Sequence, residues 1–236
     1  MRDKIIALAV SHQYDAAEAL LAELETKKAF QKGICLQFIM KMKAIIYEAK
    51  NGSTPAVLDM LQNALQITWP GFDDQDIKCI NSIADRPLAY YEISILNQIA
   101  MYYRNIGDYL HAAKLYERIK DSMDNSYVDE IEKARMYGAL LYNYSKTLTQ
   151  MARYEEALVI INEGVNFELR GRRLQNLPDF AINQAICLLE LGRNTESIPY
   201  FALGYYGASM FADFGSVENM SIIKDYVFER LDINLA

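Results

Sequence analysis

Cysteine, histidine and long apolar runs are scarce in this sequence, and each shortage removes a class of function. Three cysteines, Cys35, Cys79 and Cys187, stand far apart in apolar contexts. An odd, scattered set suits packing better than a disulfide framework or a paired Cys-x-x-Cys metal site, and a reducing cytoplasm is the expected compartment. Only two histidines, His12 and His111, occur; lying far apart, they are expected as surface or helix-start residues rather than as metal ligands or part of a triad. No phosphate-binding glycine loop, His-x-x-x-His spacing or nucleophile elbow appears. We therefore expect no enzyme, no cofactor and no metal, and we read the acidic pair Asp73 and Asp74 as a solvated turn.

No apolar run approaches the roughly 20 residues of a membrane-spanning helix, and IIALAV near the start is too short and too soon followed by SHQYD for a signal sequence. No membrane partner is expected. Positive charge is also in deficit: 24 Lys and Arg face 31 Asp and Glu, a net charge of −7, which excludes a general phosphate binder. The densest basic cluster, Arg170, Arg172 and Arg173, reads as a solvated inter-helix turn. Seventeen tyrosines lack interleaved Lys and Arg, so core and groove lining fits them better than stacking on bases. Five prolines and eleven glycines are few, which suits long helices.

What the sequence has is one phrase used three times: QYDAAEALLAEL from Gln13, DYLHAAKLYERI from Asp108 and RYEEALVIINEG from Arg153. In each, a Tyr precedes a small residue by three, and further apolar or small residues follow at helical spacing. The stripes are Ala17, Leu20, Leu21, Leu24, then Ala112, Leu115, Tyr116, Ile119, then Ala157, Ile160, Ile161, Gly164. Partner stripes precede two of them: Leu96, Ile99, Ala100, Tyr103 and Leu141, Tyr144, Ser145, Leu148. The turns between, RNIGDY and QMARY, are short, so the partners are antiparallel. Weaker copies anchored at Val57 and Ser197 complete a series whose anchors lie 40, 55, 45 and 40 residues apart. Helix pairs at such a period predict a solenoid.

The predicted architecture is all-α: a right-handed α-solenoid of about five tetratricopeptide-like helix pairs plus a C-terminal capping helix from Ser216 to Leu231. We expect one domain over 1–236, with two pairs in 1–66, an insertion at 67–88, and three pairs and the cap in 89–236. The insertion, WPGFDDQDIKCINSIADRPL, is a candidate hinge or side wall, and Pro87 is expected to begin the next long helix.

The phrase LNQIAMYYRNIGDYLHAAKLYERI resembles the tetratricopeptide repeat. The run EISILNQIAMYYRNIGDYLHAAKLYERIKDSM, with the opening YDAAEALLAELE, resembles the C-terminal sensor half of Rgg- and PlcR-type transcriptional regulators. That resemblance covers nearly the whole chain through helix-packing signatures rather than a chemical fingerprint. It implies a cytoplasmic domain that dimerises and binds a short signalling peptide in a concave groove, controlling an N-terminal helix-turn-helix domain. No helix-turn-helix is found in this sequence, so DNA binding is expected only through such a domain in a longer parent protein. Two alternatives stand beside it: a tetratricopeptide adaptor holding the tail of another protein, and an enzyme on a solenoid scaffold, which the missing catalytic constellation disfavours. The apolar segment FALGYYGASMFADFG serves either a homodimer interface, through the last pair and the terminal helix, or the end of the core, filled by Phe201, Tyr205, Phe211 and Phe214.

Fourteen residues before Ala112, Ala157 and Ser197 stand Gln98, Asn143 and Asn183, a carboxamide each time. Gln98 lies about 200° around its helix from Leu96, off the packing stripe. The three amides are expected to line one groove, where each can donate to and accept from an extended peptide's main chain. Asn97, Met101, Arg104, Tyr142, Lys146 and Ile186 are the expected neighbours, with Arg104 or Lys146 placed for a terminal carboxylate. The competing reading makes the amides bonds between neighbouring repeats.

Overall fold

The structure, a computed structural model, describes residues 1–125, 130–174, 176–211 and 230–231. Among these residues it is all-helical, an α-solenoid of eleven α-helices and one 3-10 turn. The helices fall into two compact units, Met1–Asp129 and Glu130–Ala236. The first unit holds α1 (Arg2–Val10), α2 (Tyr14–Glu25), α3 (Gly33–Asn51), α4 (Pro55–Gln66), α5 (Ile77–Ser82), α6 (Tyr90–Asn105) and α7 (Tyr109–Asn125). The second holds α8 (Glu130–Gln150), α9 (Tyr154–Arg170), α10 (Leu177–Glu190) and α11 (Asn194–Phe211). The expected insertion boundaries at 67 and 88 fall inside the first unit. No helix among the described residues is long and apolar enough to cross a membrane.

Pairing follows the echoes. α1 packs on α2, α3 on α4, α6 on α7, α8 on α9 and α10 on α11, while the first helices of consecutive pairs also meet, α3 with α6 and α8 with α10. All five anchors, Ala17, Val57, Ala112, Ala157 and Ser197, are fully buried. Around Ala17, Ile5 of α1 and Phe38, Met42 and Ile46 of α3 close one core cluster. A buried side chain of that size contributes about 1.5 to 3 kcal/mol, so the stripes, rather than helix propensity, hold the pairs together.

The turns repeat as closely as the helices. His12, Gly107, Ala152 and Gly192 all adopt positive φ, between 56° and 87°, two residues before α2, α7, α9 and α11 begin. The next amide in each case reaches back five residues: Gln13 to the Leu8 carbonyl, Asp108 to Tyr103, Arg153 to Leu148 and Arg193 to Leu188, at 2.8 to 2.9 Å. This helix-ending pattern satisfies carbonyls the helix leaves open.

The insertion packs against the neighbouring helices as a side wall does. Arg86 lies over the Trp69 ring, 4.1 Å from its centroid, and grips both oxygens of buried Glu92 at 3.0 and 3.2 Å. Its carbonyl accepts from Ser122 of α7 at 2.7 Å. The insertion carries the short helix α5, capped by Asp76; α6 starts at Tyr90 rather than at Pro87, and Glu92 folds back to accept from the Ala89 amide at 2.9 Å. The solvated acidic turn also needs correction: Asp73 is exposed, but Asp74 is fully buried, accepting from the Tyr103 hydroxyl and the Gln62 amide. In the basic turn Arg170 and Arg172 are exposed, while Arg173 binds buried Glu168 at 3.0 Å. Of the cysteines only Cys187 is buried. The expected cap, 216–231, lies outside the described residues except for helical 230 and 231, as do the side chains of Phe211 and Phe214; Arg230 pairs with Glu190 at 2.8 Å.

Two exchanges between alanine and glycine should act with opposite sign. A Cβ on Gly164 would stand 2.3 Å from the Phe180 ring, so Gly164→Ala should cost on the order of 1 to 3 kcal/mol by overpacking. Ala152→Gly removes a left-handed alanine and should stabilise by about 0.5 to 1 kcal/mol. Urea melts of both variants check the pair; a neutral Gly164→Ala would contradict the close approach of α9 and α10.

Candidate functional site

Each unit presents a seam between first helices, and the expected peptide-contact residues distribute over the two. In the first unit the seam is α3 against α6. Gln98, half-buried, donates its amide to Glu48 of α3 at 2.9 Å. The same carboxylate accepts from Ser53 and, at 3.4 Å, from Asn105. Asn97 and Met101 are half-buried one turn apart, with the Asn97 amide 3.6 Å from the Met101 sulfur. Arg104, 9% exposed, faces α7: its guanidinium opposes the rise that burial imposes on the Tyr116 phenol. Gln98 and Arg104 thus leave α6 toward different neighbours.

In the second unit the seam is α8 against α10. Asn183, 5% exposed, donates to the Ser145 hydroxyl of α8 at 3.0 Å, and Ser145 donates to the Tyr142 carbonyl at 2.8 Å. Asn143, half-buried, accepts at its carbonyl from Thr147 at 2.9 Å. The Tyr142 ring meets Phe180 edge-on at 5.8 Å, and the exposed Lys146 ammonium stands 6.0 Å from the Tyr142 centroid. Burial raises the Asp179 carboxyl and Lys146 opposes that rise. Ile186 packs beside Ala185, Leu189 and Phe201. Tyr142, Lys146 and Asn183 therefore converge on one seam. Gln98 and Asn183 both bond to the preceding first helix, the inter-repeat role weighed against peptide binding.

Three polar residues on the first seam were not anticipated: Lys41, Glu48 and Ser94. Lys41 of α3 is 8% exposed, and its ammonium donates to the Ser94 hydroxyl of α6 at 2.6 Å. It takes part in no ion pair among the described residues, and burial brings its pKa down to about 8. The sequence carries a signal for it. Lys41 interrupts FIMKMKAII one turn from Phe38 and Ala44, where the stripe calls for an apolar residue. Among the described residues no group of three His, Cys, Asp or Glu side chains gathers as a metal site would need.

Burial of Lys41 makes a stability prediction. Its pKa falls on folding from 10.5 to about 8, so the unfolded chain binds the proton more tightly and the burial cost is fully present below pH 8. As pH rises from 8 toward 10.5 the folded state sheds the proton and the cost fades. Lys41→Met should stabilise by on the order of 2 kcal/mol at pH 7, with the gain over the parent chain shrinking by pH 10. Denaturant melts at both pH values check it; a destabilised Lys41→Met at pH 7 would contradict it.

No curated protein matches the sequence. Among solved structures, it is similar to Bacillus thuringiensis PlcR in complex with the peptide PapR7 and DNA, with TM-score 0.68 and 18% identity over 96% of this chain and 72% of that one. Apo PlcR from the same organism gives 0.69 and 17% over 97% and 76%, and MamA AMB-1 gives 0.52 and 15% over 88% and 97%. At such identities the likeness establishes the fold. Residues 84–229, more than half of the chain, match the RNPP family C-terminal domain. That stretch runs from the end of the side wall through α6 to α11, the elements that bear all nine expected contact residues, and by it the chain belongs to the RNPP family as a C-terminal domain.

Proposed function

We propose that this chain is the peptide-sensing and dimerisation domain of a cytoplasmic transcriptional regulator. It binds a short signalling peptide and thereby controls a helix-turn-helix domain N-terminal to it, which carries the DNA contact. The observation that carries this reading is family membership over residues 84–229, joined to the fold likeness with PlcR, a protein solved with a peptide and DNA. The chemistry of the first-helix seams supports it. Asn143 and Asn183 offer donors and acceptors to a peptide main chain whatever its side chains, Tyr142 offers a ring face, and Lys146 a counter-charge for a carboxylate. Gln98, Asn97, Met101 and Arg104 are the corresponding candidates on the first unit, and Ile186 an apolar one on the second. A ligand that takes the Asn183 amide must displace its bond to Ser145, which couples peptide binding to the packing of α8 on α10.

The proposed dimer uses the last pair and the terminal helix. Leu203 and Tyr206 of α11 are 55% and 50% exposed, whereas Phe201 is fully buried and serves the core. A non-enzymatic role fits both the family and the side chains present.

Short peptides retained by the immobilised chain from culture medium, sequenced by mass spectrometry, identify the ligand. Calorimetry with that peptide then tests the site. Asn143→Ala should weaken binding by about 0.5 to 1.5 kcal/mol, roughly two- to twelvefold, and Lys146→Ala by more if the carboxylate lies there. Unchanged affinity in two folded variants removes this seam from the mechanism. Retention of a large protein instead of a peptide favours the adaptor. Light scattering at tens of micromolar should show a dimer, and a monomer sinks that part of the proposal.

A further inference from the structure

Five charged side chains are buried among the described residues: Lys41, Asp74, Glu92, Arg104 and Glu168. The three carboxylates have strong partners. Asp74 accepts from Tyr103 and Gln62, Glu92 is gripped by Arg86, and Glu168 is held by Arg173 at 3.0 Å and Asn176 at 2.9 Å. Lys41 differs: its hydrogen bond goes to the hydroxyl of Ser94, and no carboxylate lies within ion-pair reach among the described residues. An ammonium has three donors, and a buried charge without a counter-ion is costly. The cost shows in its pKa, brought down to about 8 by burial alone.

We propose that the seam between α3 and α6 holds a carboxylate of the bound peptide, with the Lys41 ammonium as its counter-ion and the Ser94 hydroxyl beside it. The inference rests on the peptide-binding reading above and adds to it a subsite and the chemistry it selects. Lysine keeps its stem buried and its head at a rim, and half-buried Ser94 marks that rim. The acidic groups nearby are already engaged. Glu48, two turns along α3, takes Gln98, Ser53 and Asn105, while Glu25, Asp15 and Glu18 of α2 pair with Lys43 and Lys50. None of these serves Lys41, so among the described residues its ammonium is left without a counter-ion for an incoming carboxylate to supply. A carboxylate is the anion that fits. One ammonium and one hydroxyl match a single negative charge without the bidentate fork that a guanidinium offers a phosphate, and a chain of net charge −7 disfavours multivalent anions.

The subsite is tested first with a simple probe. N-acetyl-leucine, which presents one carboxylate and one apolar side chain, is titrated into the chain while the carbon-13 signal of the Lys41 ε-methylene is followed, and N-acetyl-leucinamide serves as the control. A saturable shift with the acid and none with the amide is expected, with affinity reduced at least threefold in Ser94→Ala. An equal response to both, or no saturation, overturns the subsite. A second measurement assigns the source of the carboxylate. Three pools of random heptapeptides are passed over the chain: one with free C-termini and no Asp or Glu, one amidated without Asp or Glu, and one amidated with both. Tenfold enrichment of the first pool over the second assigns the peptide's C-terminus; enrichment of the third over the second assigns an acidic side chain. Lys41→Met should abolish whichever preference is found. Equal retention of all three overturns the carboxylate subsite and leaves peptide binding standing, whereas retention of none overturns the proposed function together with the peptide's claim on Lys41.

Discussion

A small side chain where two helices meet is the constraint on which the rest of this molecule depends. Ala17, Val57, Ala112, Ala157 and Ser197 are each fully buried, and none is large enough to hold its neighbour off. Close approach then brings the i+4 and i+7 positions of the second helix into contact with the first, so that one residue fixes how a whole stripe is buried. Where the neighbour needs more room the chain gives up the side chain altogether: Phe180 of α10 occupies the space a Cβ on Gly164 would take, and the Glu168 carboxylate that of Gly138. Larger residues at these sites would not merely weaken the contact. They would separate the helices whose spacing defines the seam beside them.

The same constraint explains the turns. A helix pair packs at one distance only if the chain reverses within a few residues, and one left-handed residue followed by an amide bonded five residues back does so at four turns. Glycine supplies that conformation without strain at 107 and 192, whereas His12 and Ala152 adopt it at a cost of about 1 to 2 kcal/mol each. The packing of the flanking stripes outweighs that cost, which is why the turn geometry persists where its sequence signature does not.

Local features were therefore legible in the sequence and distant pairings were not. The stripes over Leu96 to Tyr103 and Leu141 to Leu148, the short turns and the helix class all follow from spacing along one segment, and three of four residues in the second stripe and all four in the first are buried. The wall between α4 and α6 read as a break because its stabilising contacts come from elsewhere: Asp74 is buried by Tyr103, 29 residues on, and the Arg86 carbonyl is held by Ser122, 36 residues on. The spacing from the anchors marks the amides, while their direction is set by the neighbouring helix. Gln98 and Asn183 turn toward the preceding first helix because an amide shielded from solvent in a stacked array meets its neighbour before it meets water. Lys41 was visible as an intrusion into an apolar stripe, yet only its burial against α6 gives the intrusion a meaning.

A stack of helix pairs has a further property that bears on recognition. Its stability comes from second helices packed against first ones and from contacts between neighbouring pairs, and the apolar stripes of the first helices supply most of that. The polar positions of the α3–α6 and α8–α10 seams can then bear groups chosen for binding at little expense to the core. Amide-to-hydroxyl and amide-to-carboxylate bonds across those seams satisfy the polar groups, and under the proposed function a peptide main chain would offer the same donors and acceptors in exchange. Because such an exchange would be nearly balanced in hydrogen bonds, affinity and selectivity would fall to what is not balanced beforehand: apolar contacts, and charges held without a counter-ion. Binding that alters a bond between first helices also alters how two pairs pack, so recognition and conformational response would share the same few side chains.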